Sequence, residues 1–135
     1  MVKMTAVYQG EKHCELTHGP SNAQISTDAP KDNNGKGEAF SPTDLLGAAT
    51  GSCMLTVMAI AAEKDGVNLK NAWVTVEKEM STAPRKVAKL NVVLHMPQSI
   101  PQDYRKKLED IALNCPVKLS LHPDLQMPVL FHYDI

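Results

Sequence analysis

The sequence predicts an α+β fold in which an antiparallel sheet wraps around one long, buried central helix. Residues 41–66, SPTDLLGAATGSCMLTVMAIAAEKDG, carry a helix start signal and a stop signal, with no charged residue between Leu45 and Ala62. The segments on either side alternate in hairpin order rather than in strand–helix–strand units, giving βββ-α-ββ-α-α-β. A helix that is apolar all round is buried all round. One face of one small sheet does not cover it, but a second chain would. The pattern therefore predicts an obligate homodimer with central helices packed together.

The first three strands come from residues 1–8, 13–18 and 23–27, turning at Gly10-Glu11-Lys12 and Gly19-Pro20-Ser21-Asn22. A polar loop, residues 28–40, leads into the helix. Ser41 is read as its N-cap, Pro42 fits the first helical position, and Asp44 stands at capping-box spacing. Gly66 suits a left-handed C-cap. Residues 67–80 and 87–96 form a second hairpin, with Leu69, Val74, Val76, Leu90, Val92, Leu94 and Met96 facing the core and Trp73 facing away. Ser99 is read as the cap of a second helix with Pro101 near its start. Its apolar stripe is Tyr104, Leu108, Ile111, Ala112 and Cys115. Pro116 breaks that helix and opens a short one to about residue 121. Residues 127–133 form the last strand.

A length of 135 residues suits one domain, residues 1–135. The net charge of −1 gives no electrostatic case for nucleic acid or an anionic membrane. The start lacks a long apolar segment of the secretory kind, and the central helix carries Ser, Thr and Gly and is capped like a soluble helix, so no membrane span is expected. Three cysteines without such a leader argue against a secreted disulfide framework and for a cytoplasmic chain.

Cys14 lies in an alternating strand and reads as core. Cys53 and Cys115 both point inward, from the central helix and from the proline break. They would meet across a helix–helix contact as a redox couple. If Pro116 opens a helix, Cys115 sits at its positive end, which favours a thiolate. Gly47, Ala49, Gly51 and Ser52 leave room beside Cys53 for a substrate or a second sulfur, and would kink the helix there. A zinc site is the competing chemistry. It would join Cys53 and Cys115 to two of His13, His18, His95, His122 and His132, but no ligand pair has zinc spacing, so no metal is expected.

The segment AFSPTDLLGAATGSCMLTVMAIAAEKDGVNL, with NCPVKLSLHPDL later, resembles the OsmC/Ohr family of osmotically inducible and organic-hydroperoxide-resistance proteins. CELTHGPSNAQISTDAPKDNNGKGEAF is similar to the OsmC-like branch. The resemblance implies an OsmC-like, intertwined α+β homodimer that reduces organic hydroperoxides with thiols. By motif, Cys53 matches the peroxidatic nucleophile and Cys115 the resolving cysteine. Attack by the Cys53 thiolate would leave a sulfenate, which Cys115 condenses to a Cys53–Cys115 disulfide. No bound cofactor is implied; a dithiol such as a dihydrolipoyl group would reduce the disulfide.

The peroxidases of the family share an Asn-Pro-Glu before the central helix, where this chain has Ser41-Pro42-Thr43. They also share an early hairpin arginine that pairs with the glutamate, whereas no arginine precedes Arg85 here. Thr43, Asp44 and His18 are candidate supporting residues, with Lys12, His13, Lys31 and Lys36 as alternative cations. Thr43 is ten residues before Cys53, about 15 Å along a straight helix. Two other readings stand beside the peroxidase: an OsmC-fold ligand-binding or redox-sensing protein without efficient turnover, and a protein whose cysteines are only core.

Overall fold

A computed structural model describes residues 1–135, which divide into two compact units, Met1–Leu46 and Gly47–Ile135. The first holds an antiparallel sheet of β1 (Met4–Gly10), β2 (His13–His18) and β3 (Gln24–Asp28). The β1–β2 hairpin turns on Glu11 and Lys12, both at positive φ, as a two-residue turn between twisted strands requires. A loop with one 3₁₀ turn, Lys31–Asn33, then leads to α1 (Pro42–Lys64).

The start of α1 forms as its sequence dictates. Ser41 N–H donates to Asp44 Oδ2 at 2.8 Å and Asp44 N–H donates to Ser41 Oγ at 3.0 Å, a reciprocal capping box. Gly66, at φ +69°, lies just beyond its other end. α1 is helical without interruption through its small residues.

The second unit holds a sheet of order β4-β5-β6, from β4 (Trp73–Met80), β5 (Val87–Met96) and β6 (Val129–Tyr133). The β4–β5 hairpin is antiparallel, with Val87, Leu90, Val92, Leu94 and Met96 buried. β6 instead pairs parallel to β5, from Val92↔Val129 to Met96↔Tyr133, which corrects the all-antiparallel expectation. Its cause is the crossover made by α2 (Gln102–Leu113) and α3 (Pro116–Ser120), which returns the chain to the same end of the sheet.

Other local expectations fail for identifiable reasons. Residues 67–72 are irregular rather than strand, because Asn71 is left-handed and Lys70 N–H donates to Asn68 Oδ1 at 2.8 Å. Ser99 does not cap α2. It lies in a turn closed by Ile100 N–H on Pro97 O, and α2 begins at Gln102 without a side-chain cap.

Within this chain α1 is not buried on every side. Its buried positions, Gly47, Thr50, Gly51, Met54, Met58 and Ala62, recur every three or four residues as one face, while Ile60 is 52% exposed. By length and composition alone α1 could cross a membrane, with only 33% of its most apolar window buried. Its packing is that of a core helix, because its glycines meet the sheet. A β-carbon at position 51 would stand 2.9 Å from Val74 Cγ1 and 3.1 Å from Val76 Cγ2. Gly47 and Gly51 thus serve sheet contact, while Ala49 and Ser52 are exposed.

Two substitutions on this face should act oppositely. Gly→Ala inside a helix gains about 1 kcal/mol of propensity. At Gly47 the new methyl would meet Val76 and Leu90 at 3.4 and 3.5 Å, ordinary contact, so Gly47→Ala should be neutral to stabilising. At Gly51 it meets stiff, β-branched valines, and overpacking of about 1–3 kcal/mol should outweigh the gain. Denaturant unfolding checks this; equal effects at both sites would contradict the packing described.

Candidate functional site

The site is built where α1 meets the α2–α3 junction. Helical spacing sets Cys53 beside Met54, off the fully buried stripe, so its side chain is half-buried. Cys115 is placed by the way α2 ends. Asn114 closes the last turn with its N–H on Ile111 O, Cys115 N–H follows on Ala112 O, and the Asn114 side chain donates to Asp110 O at 2.7 Å. The chain then leaves the helix at Cys115, with φ −64° and ψ 146°, and Pro116 opens α3 at the position where a missing N–H costs nothing.

Cys115 is therefore the N-cap of α3. Its Sγ accepts the Lys118 N–H at 3.4 Å, and the residue is 0% exposed. The Cys53 and Cys115 side chains are in hydrogen-bond contact, and both are free thiols. Two sulfurs sixty-two positions apart are thus brought to contact distance.

Burial pushes the Cys115 thiol up. The N–H groups of Lys118 and Val117 pull it down, and contact with Cys53 adds to the rise. The expectation of a favoured Cys115 thiolate is thereby corrected: α3 has only five residues, and desolvation outweighs its amides. Cys115 is therefore an enclosed, protonated thiol, and Cys53 is the partly exposed sulfur of the pair.

The supporting candidates have other partners. Thr43 Oγ1 lies 3.1 Å from Ser41 Oγ in the first turn of α1, and Asp44 completes the capping box. His18 Nδ1 lies 2.6 Å from Ser21 Oγ in the β2–β3 turn. Lys36 pairs with Glu11 at 2.5 Å. No group of three or more His, Cys, Asp or Glu residues is placed to hold a metal ion. Cys14 lies mid-strand between Tyr8 and Thr27, partly buried.

Two clusters escaped the sequence reading. His13 Nδ1 lies 2.5 Å from Asp28 Oδ1 across the β2–β3 pair, and Asp28, 5% exposed, also accepts the Glu38 N–H at 2.9 Å. These groups and Lys36 line a cavity of about 280 Å³ in the first unit. On the other sheet, Trp73 stacks on His95 with centroids 3.9 Å apart, and His95 Nδ1 lies 2.8 Å from Asp134 Oδ2. Both depend on strand register, which alternation alone does not supply.

Native-state alkylation should therefore separate the thiols. Iodoacetamide should label Cys53 at least about tenfold faster than Cys115 by peptide mapping; equal rates would refute the burial order. A second outcome concerns Asp28. The His13 hydrogen bond holds its carboxyl below the usual range against the opposing effect of burial, with help from the Glu38 and Ala39 N–H groups. A depressed carboxyl adds stability that is present above its unfolded value, about 3.9, and is lost as pH falls through the folded one. Asp28→Asn should lower stability at pH 7 and flatten its dependence on pH below about 4. An unchanged acid limb in denaturant titrations would contradict the assignment.

Comparison with known proteins places this arrangement in a family. The model described as OsmC-like protein matches residues 35–128. No curated protein matches the chain. A Psychrobacter arcticus crystal structure, named for osmotic stress induction and a detoxification response, is 39% identical. It has a TM-score of 0.93, with 98% of this chain and 96% of that one covered. A Legionella pneumophila organic hydroperoxide resistance protein OsmC is 19% identical with a TM-score of 0.74, covering 98% and 96%. Another such resistance protein, from Elizabethkingia anophelis with thiocyanate bound, is 12% identical with a TM-score of 0.79, covering 99% and 96%. At these lower identities the likeness is one of fold. The family match and the Psychrobacter relative, taken with the two-helix site on its sheet, establish that the chain belongs to the OsmC-like family.

Proposed function

We propose that this protein is a thiol-dependent peroxidase that reduces organic hydroperoxides through Cys53, with Cys115 as the resolving cysteine. The observation that carries the reading is the contact between the two sulfurs at unequal burial. The hydroperoxide itself comes from the names of the Legionella and Elizabethkingia proteins.

In the first step the Cys53 thiolate attacks the terminal oxygen of the hydroperoxide. The O–O bond breaks, the alkoxide leaves and takes a proton as the alcohol, and Cys53 becomes a sulfenic acid. Cys115 Sγ then attacks Cys53 Sγ. Its proton and the sulfenic hydroxyl leave as water, and the disulfide forms. Burial suits Cys115 to this part, because a protonated, shielded thiol neither competes for peroxide nor oxidises alone. An external dithiol, such as a dihydrolipoyl group, restores both thiols with no bound cofactor. Thr43 and Asp44 support the site at a distance by fixing the first turn of α1.

The same proposal includes a homodimer in a reducing cytoplasm. The exposed apolar side of α1, with Ile60 on it, supports a second copy packed there. A second reading, ligand binding or redox sensing without efficient turnover, draws on Thr43 in place of the family glutamate and on the absence of arginine before Arg85.

Consumption of cumene hydroperoxide with dihydrolipoamide tests the proposal. Wild type should turn over, and Cys53→Ser should lose at least about 100-fold of the rate. Cys115→Ser should perform the first reduction but stall in the cycle. Activity that survives Cys53→Ser would sink the peroxidase. Absence of turnover, with a small apolar ligand raising the melting temperature, would establish the second reading instead.

A further inference from the structure

Resting on that peroxidase reading, we propose that the dithiol reductant attacks Cys53 Sγ of the oxidised pair and expels Cys115 Sγ inward, onto the first turn of α3. In thiol–disulfide exchange the incoming thiolate, the attacked sulfur and the leaving sulfur lie in line. The reductant must therefore approach one sulfur from the side opposite the other. Cys115 is 0% exposed, held as the N-cap of α3 where α2 ends, so no line of approach reaches its sulfur from solvent. Cys53, on the flank of the buried stripe of α1, keeps part of its surface exposed in this chain, so access favours its sulfur.

Leaving-group chemistry alone points the other way. A more acidic thiol leaves faster, and burial makes the Cys115 thiol hard to ionise. Access decides in favour of attack at Cys53, because a sulfur without an open approach reacts only as fast as its surroundings open. The Lys118 N–H, 3.4 Å from Cys115 Sγ, and the Val117 N–H offset only part of the cost of the departing charge, since burial outweighs them. Its raised pKa then returns Cys115 to the protonated resting thiol.

The electron count closes on this route. The first reductant thiolate bonds to Cys53 Sγ, the Cys53–Cys115 bond breaks, and the electron pair leaves on Cys115, which takes a proton. The second thiol of the reductant, after losing its proton, attacks the reductant sulfur of the mixed disulfide. Cys53 leaves as a thiolate, and the reductant departs as its cyclic disulfide. Two electrons pass from the dithiol to the pair, and Cys53 is left ready for the next peroxide. Cys115 never meets solvent in this cycle.

The test traps the mixed disulfide in the wild-type chain. The pair is oxidised with diamide, mixed briefly with 2-mercaptoethanol, which cannot cyclise, and quenched with N-ethylmaleimide under acidic denaturing conditions before peptide mapping. The mercaptoethanol adduct is expected on Cys53 and the maleimide on Cys115, in at least about tenfold excess over the reverse. An adduct on Cys115 with maleimide on Cys53, or equal amounts of both, would overturn the direction of attack and leave the peroxidase reading intact. Failure of diamide to link Cys53 to Cys115 would overturn that reading and this inference with it.

Discussion

Helix α1 lies against β4 at a separation that only glycine permits. At Gly51 a single β-carbon would collide with Val74 and Val76, and at Gly47 it would just touch Val76 and Leu90. This approach fixes the height and rotation of α1 on the sheet. Met54, Met58 and Ala62 follow on the same buried face. Cys53 then falls on the edge of that face, half-covered, and its contact with Cys115 depends on that rotation. A helix held further out, or turned by one residue, would lose the contact.

Unequal burial of the two sulfurs is the second consequence. Cys115 closes α2, caps α3 and is wholly enclosed, so its ionisation is costly although backbone amides aim at it. Five residues of α3 cannot offset the loss of water. Cys53 has the easier access. One sulfur is thus partly exposed and the other enclosed beside it, a difference set by packing.

Parts of this were legible in the sequence because they are local. Ser41-Pro42-Thr43-Asp44 spells a capping box, Gly66 a left-handed end and Cys115-Pro116 a helix break followed by a new start, and each chain segment obeys. The alternation of Leu90, Val92, Leu94 and Met96 named the buried face of β5. What escaped is set by partners distant in sequence. The parallel β5–β6 pair follows from where α2 and α3 deliver the chain, and the His13–Asp28 and Trp73–His95 contacts follow from register. Even apolarity around α1 hid which side the chain itself covers. The Cys115 expectation failed because helix polarity can be read from a proline, whereas desolvation requires the finished core. Thr43, where the family's peroxidases carry glutamate, belongs to the first turn of α1 with Ser41 and Asp44.

The central claim is that Cys53 and Cys115 form one redox unit. Exposure of the reduced protein to one equivalent of cumene hydroperoxide, followed by peptide mapping without reductant, tests it most directly. A Cys53–Cys115 disulfide is expected as the main product, with Cys14 still a thiol. Sulfinic or sulfonic acid on Cys53, with Cys115 recovered as a free thiol, would contradict it.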